Sequence, residues 1–144
     1  MVHFFYNERN EGLQMSVTIK QASINLFVPD AEKAMHFYEK IFDAKKIELN
    51  TSEKIKSGRF SIGASLFALA DEQPLGGPSP LTLNGTPFCI QLICDNVEEL
   101  VDTTLAAGCT LEMPITVVPN KFKVANVKDP FGFIWSISEV YMNE

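Results

Sequence analysis

The sequence predicts an α+β fold built from two βαβββ modules. One observation carries most of that prediction: residues 22–43, ASINLFVPDAEKAMHFYEKIFD, align with residues 88–109, FCIQLICDNVEELVDTTLAAGC, at an offset of 66. Ile24 and Leu26 match Ile90 and Leu92, Asn25 matches Gln91, Asp30 matches Asn96, and Glu32 matches Glu98. A repeat of this period marks two copies of one supersecondary unit that bury a core together. A second observation is that each copy reads strand, helix cap, amphipathic helix. The third is the stretch between the copies, 71–87, which holds four of the eight prolines and three of the eight glycines, the composition of a linker.

The elements follow in order. A strand over 19–28 sets Ala22, Ile24, Leu26 and Val28 on one face and Ser23, Asn25 and Phe27 on the other. Pro29 stops it and Asp30 caps a helix whose first turn carries Glu32 and Lys33. Ala34, Phe37, Tyr38 and Ile41 recur at helical spacing and predict its buried face. Strands are expected near 45–51, 54–61 and 64–70, with Gly58 and Gly63 as turn residues. The second module spans 88–140. Its first strand turns Cys89, Gln91 and Ile93 inward, Asn96 caps a helix over 97–107, and Gly108 ends it. Strands near 109–114 and 122–128 precede the turn DPFG (129–132) and a last strand, FIWSISEV, in which Trp135 and Ile137 face the helices. The domain reading is an arm at 1–18, a first module at 19–70, the linker at 71–87, the second module and a tail at 141–144. Residues 1–14 allow two readings. One is a misplaced start, with Met15 the native initiator; the other is a genuine extra strand, since HFFY is β-prone. N-terminal sequencing from the native host separates them.

Composition excludes several classes. A net charge of −6 over 144 residues and a pI near 4.9 argue against a nucleic-acid partner, which needs a basic face. No apolar run approaches the ~18 residues of a membrane span, and the first residues lack the pattern of a signal peptide. Three cysteines, Cys89, Cys94 and Cys109, are an odd count without the density of a disulfide scaffold, which fits a reducing cytoplasm.

Two segments, FVPDAEKAMHFYEKIFDA at 27–44 and VKDPFGFIWSIS at 127–138, resemble the strand–cap–helix and the D-P-x-G turn of the vicinal oxygen chelate superfamily, which includes glyoxalase I, bleomycin-resistance proteins and extradiol dioxygenases. DPFG followed by a nearby Trp is most similar to the PhnB-like branch. The resemblance implies that the two modules form a shared cup-shaped sheet with the helices on its outer face, and that the protein is a homodimer. It also implies where a metal would sit. Metal-dependent members draw one ligand from the first and one from the last strand of each module, usually His, Glu or Gln. Those positions fall here on Ser23, Phe67, Cys89 and Ser136. Serine and phenylalanine are unsuited to a divalent ion, and His3 and His36 lie outside the cup, so neither a metal nor another cofactor is expected.

The remaining candidates line the same cup. Asn25 and Gln91 occupy matching places in the repeat, and their amides suit the orientation of a polar ligand; the alternative is that they hydrogen-bond across the module junction. Ser136 and Ser138 extend the polar lining. Phe27, Phe67 and Phe122 form either an aromatic wall or ordinary core. Cys89 is either a reactive thiol at an ancestral ligand position or a small half-buried side chain. Lys54, Lys56 and Arg59 are a patch for an anion or a solvated strand face. The leading functional expectation is a metal-independent small-molecule binding protein. The alternatives are a metal-dependent lyase or isomerase acting on a carbonyl compound, and an interaction protein with a collapsed cup.

Overall fold

The repeat read in the sequence is a repeat in space. The computed structural model describes residues 4–7, 12–74 and 77–141; His3 and tail residues 142–144 lie outside them. In the N-terminal arm β1 (Phe4–Asn7) pairs antiparallel with β2 (Gly12–Met15) in a sheet of its own. The first module is β3 (Ile24–Val28), α1 (Ala31–Phe42), β4 (Lys45–Asn50), β5 (Ser57–Ile62) and β6 (Ser65–Asp71). After a short helix α2 (Pro80–Leu83), the second module is β7 (Cys89–Ile93), α3 (Val97–Ala106), β8 (Thr110–Val118), β9 (Phe122–Lys128) and β10 (Ile134–Val140). The sheets have the same order, β3-β6-β5-β4 and β7-β10-β9-β8, with the first and last strand of each module paired in parallel.

The caps explain why each helix starts where it does. Asp30 accepts from the Lys33 backbone N–H, and Asn96 accepts from that of Glu99, satisfying a donor that the first turn leaves without an intrahelical partner. A second carboxylate reaches each start from the last strand of the same module: Asp71 accepts from the Ala31 N–H at 2.8 Å and Glu139 from the Val97 N–H at 3.1 Å. A lysine joins two acidic residues at each helix start. Lys56 donates its side chain to Asp30 and its backbone N–H to Asp71, while Lys123 meets Glu98 at 2.9 Å and Glu139 at 3.8 Å.

Three sequence expectations are corrected. The first strand begins at Ile24 rather than near residue 19, and Ala22 and Ser23 precede it. Gly58 lies inside β5 rather than in a turn, because a Cβ there would sit 2.7 Å from the Glu48 carbonyl oxygen of the neighbouring strand. The Pro/Gly-rich segment is not bare linker. Ser79 is fully buried, its backbone N–H and that of the α2 residue Thr82 are held by Glu72 and the Ser79 hydroxyl, and Pro80 packs on Gly132.

The modules are joined through their helix-facing sides. Tyr38 of α1 lies between Phe60 of the first sheet and Trp135 of the second, at 5.5 Å from each ring. Trp135 also meets Phe42 at 4.6 Å and Phe67 at 6.1 Å. Leu26, Leu69, Val127 and Ile137 complete this core. At its centre Asp129, the first residue of the DPFG turn, is 3% exposed. Its carboxylate accepts from the Tyr38 hydroxyl at 2.6 Å, the Trp135 indole N–H at 2.8 Å, and the Phe131 and Phe133 backbone N–H groups at 2.9 and 3.0 Å. Burial pushes the Asp129 carboxyl up from the ordinary carboxylate range, against the pull of these donors. Burial, and then the Asp129 charge, push the Tyr38 phenol well above its ordinary 10.0.

Trp135→Ala is expected to cost about 3–5 kcal/mol in a urea melt, as large aromatic truncations in cores do. Tyr38→Phe removes one donor from a buried anion and is expected to cost about 1–3 kcal/mol near neutral pH. It also changes the alkaline limb. A phenol whose folded pKa is raised binds its proton in the folded state after the unfolded chain has lost it, so stability falls as pH rises above 10.0. Melts between pH 8 and 11 should therefore fall less steeply for Tyr38→Phe than for the parent chain.

Candidate functional site

The faces turned away from this core are open, and strand alternation decides which side chains they carry. In the first sheet the cross-strand row through Asn25 runs Asn25, Ala68, Arg59 and Glu48. In the second the matching row runs Gln91, Ser136, Asn126 and Met113. The side chains between these positions face the core: Leu26, Phe67, Leu69, Ile90, Ala125, Val127, Trp135 and Ile137 are all buried.

This register moves one predicted position. Phe67 pairs with Ile24 and stacks on Phe60 at 5.2 Å, so its ring belongs to the helix-side core and only its edge reaches the groove lined by Ser23 and Cys89. The residue equivalent to Ser136 is Ala68, because Ala68 stands beside Asn25 as Ser136 stands beside Gln91. Ser138 is also corrected as lining. It is 5% exposed and its hydroxyl donates to the Leu92 carbonyl, which occupies it.

The other predicted residues divide between two depressions. Ser23, Cys89 and Gln91 come together in an open groove of about 620 Å³, with Ala22, Leu66 and the edge of Phe67. Asn25 and Phe27 line a separate pocket of about 220 Å³ with Pro80, Leu83, Phe88 and Phe133. Phe27 also packs on Gly77, where a Cβ would collide with its ring. Asn25 and Gln91 thus carry the same address in their modules but line different hollows of one chain. Ser136 is half-buried on β10 between Gln91 and Asn126. Phe122 is half-buried at the start of β9.

Electrostatically the open faces are muted. Arg59 donates to Glu48 at 2.6 Å and Lys56 to Asp30 at 2.7 Å, so two members of the expected cationic patch are already paired. No histidine, lysine or arginine lines the groove around Cys89, so it holds no evident base or cation to activate that thiol. Burial pushes the Cys94 thiol up, and burial together with Asp129 pushes the Cys109 thiol up to about 12. His36 is exposed on α1, 3.2 Å from Glu39. Among the described residues no three His, Cys, Asp or Glu side chains lie together in a way that would hold a metal ion. The four positions at which relatives would supply ligands carry Ser23, Ala68, Cys89 and Ser136, a donor set that fits no divalent cation. No helix among the described residues is long and apolar enough to cross a membrane.

Asn126 was not singled out from the sequence. The signal was present: in FKVANVK the core-facing Ala125 and Val127 alternate with Val124, Asn126 and Lys128, which sets an amide on the open face beside Ser136.

Comparison with known proteins agrees with this geometry. The family model of the glyoxalase/bleomycin resistance protein/dioxygenase superfamily matches residues 20–137, both modules and the segment between them. An uncharacterised protein of Mycobacterium tuberculosis is 32% identical over 152 residues, covering 94% of this chain and 86% of that protein. A hypothetical protein from S. aureus superposes with a TM-score of 0.64 at 23% identity, covering 85% of this chain and 99% of that one. The fosfomycin resistance protein FosX from Listeria monocytogenes, solved with Mn(II) and a sulfate ion, superposes with a TM-score of 0.65 at 18% identity, covering 85% and 92%. At these identities the two solved structures speak for the fold alone. The family match spans most of the chain and accounts for both repeats, and this protein belongs to the glyoxalase/bleomycin resistance protein/dioxygenase superfamily.

Proposed function

We propose that the protein is a metal-independent small-molecule binding protein of the glyoxalase/bleomycin-resistance type, acting as a homodimer in the cytoplasm. The observation that carries this reading is the donor set. Ser23, Ala68, Cys89 and Ser136 stand where metal-dependent relatives would place histidines and carboxylates, and this holds whichever modules meet around a ligand. What the open faces offer instead is neutral and polar: Asn25 on one sheet, Gln91, Ser136 and Asn126 on the other. The Trp after DPFG favours the PhnB-like branch. The Mn(II) of FosX belongs to that protein and is not transferred here.

The dimer follows from the separation of the two rows. The shared core fixes the helix-facing sides together, so Asn25 and Gln91 of one chain do not line one hollow. A second copy would lay the first sheet of one chain across the second sheet of the other and bring the rows face to face. Each cup would then hold Asn25 from one chain and Gln91 from its partner. On the open face of the second sheet Ile93, two residues beyond Gln91, is 70% exposed, which supports a covering partner.

Two measurements test the reading. Elemental analysis of the purified protein should find far less than one divalent metal per chain, and added zinc, nickel or manganese should leave its Tm unchanged. A cation that binds only the folded state raises stability by mass action, so one metal per chain or a clear Tm gain overturns metal independence. For ligands found by thermal shift, Asn25→Ala and Gln91→Ala should each weaken binding, the loss of one hydrogen bond being worth about 0.5–1.5 kcal/mol. A mixture of the two variants should regain tight sites, because a mixed dimer carries one cup with both amides intact. Mixtures no better than the variants alone overturn the shared cup.

A further inference from the structure

On the open face of the second sheet, one buried acceptor stands without a donor. The side-chain oxygen of Asn126 is sealed from solvent, and no donor among the described residues reaches it. Such an oxygen costs the folded chain free energy, since it has left water without gaining a hydrogen bond. The chain also has an inexpensive remedy that it does not use: a β-branched or aliphatic residue at this position of β9 would carry no such oxygen, and its same-face neighbour Val124 is already apolar. A polar group retained against stability beside two other polar side chains indicates a donor from outside the chain, met when the carboxamide turns its oxygen toward the open face.

The neighbours define that donor's chemistry. Asn126 pairs across the ladder with Ser136, and Ser136 with Gln91. Three adjacent strands thus present a carboxamide, a hydroxyl and a carboxamide in one line, about 5 Å apart. No charged side chain interrupts the row. The nearest cation on this face, Lys128, is paired with Glu112 at 3.0 Å. The row ends in the groove that Gln91 shares with Ser23 and Cys89. A carboxylate has no proton to give Asn126 and would set a charge against its oxygen. A carboxamide or lactam offers an N–H to that oxygen and a carbonyl to the donors of Ser136 and Gln91.

We propose that Asn126 is a specificity-determining residue which accepts a hydrogen bond from a neutral amide-type ligand, so that the site selects carboxamides or lactams with an apolar body over the corresponding acids. This rests on the small-molecule reading above and narrows it to a chemical class.

The test uses the full chain with matched probes, benzamide against benzoate and nicotinamide against nicotinate, titrated by NMR with the Asn126 side-chain amide as reporter. The amides should shift that resonance and bind more tightly than their acids. Asn126→Leu and Asn126→Val should each lower amide affinity about threefold to tenfold, the worth of one hydrogen bond, and narrow the preference over the acids. Without ligand both variants should melt at or above the parental Tm, because they remove an unmet acceptor. Equal binding of amides and acids overturns the assignment while leaving the small-molecule reading intact, and so does an unchanged amide affinity in both variants. A lower Tm in both variants overturns it as well, showing that the oxygen has a structural partner in the assembled protein. If neither these probes nor a broad thermal-shift library binds, the small-molecule reading falls and this one with it.

Discussion

The structure depends on the buried carboxylate of Asp129. A turn of sequence DPFG would ordinarily be a surface feature, yet here its first residue lies at the seam between the two modules. The carboxylate binds its own turn through the Phe131 and Phe133 N–H groups, the last strand through Trp135, and the other module through Tyr38. A carboxylate has about four acceptor positions, and four donors fill them. That saturation is what makes a buried anion tolerable, since an isolated one would be far too costly. It also fixes geometry. With Tyr38 held to the DPFG turn, α1 must lie against the second sheet, and the open faces of both sheets must turn outward.

The orientation of those faces explains why the site is split. The starts of the two first strands share one groove, while Asn25 lines a separate pocket. The aromatic cluster of Tyr38, Phe42, Phe60, Phe67 and Trp135 occupies the junction. Burial of rings this large dominates the energetics of the interface, and no polar contact on the open side competes with it. Fold stability and site completion are therefore separate problems in this molecule.

Much of the fold was legible in the sequence because its signals are local. Asp30 and Asn96 are caps by their position before amphipathic segments, and the structure finds both accepting from the third residue on. Strand facing was legible where alternation is clean, as in Ile134–Val140, with Trp135 and Ile137 buried and Ser136 opposite. Phe67 was misplaced by a single residue: it sets Ser136 at an offset of 69, where the strand pairing gives 68. First strands match at Asn25 and Gln91, but the second module is two residues longer between its first and last strands, so Ser136 corresponds to Ala68. The offset grows along the module, to 67 at Arg59 and Asn126 and to 68 at Ala68 and Ser136. One residue of error in a strand turns a side chain to the opposite face, and a cup residue becomes a core residue. Asp129 was hidden for another reason. Its partner Tyr38 is 91 positions away, and no local pattern announces a contact of that range.

The same distinction bears on what the site is made of. Residues selected for packing are over-determined by their neighbours. Trp135, for instance, touches both sheets and α1, and its indole N–H is also spoken for. Asn126 is the reverse case: its backbone fits the ladder, its neighbours on β9 are apolar, and its side-chain oxygen gains nothing from the fold. Local choices in a foldable sequence agree with the global structure, and exceptions gather where function sets the residue. Ser138 shows the contrast within one strand, since its hydroxyl is consumed by the Leu92 carbonyl and leaves nothing for a ligand. By this criterion the proposed binding surface of the second module is the short row of Gln91, Ser136 and Asn126.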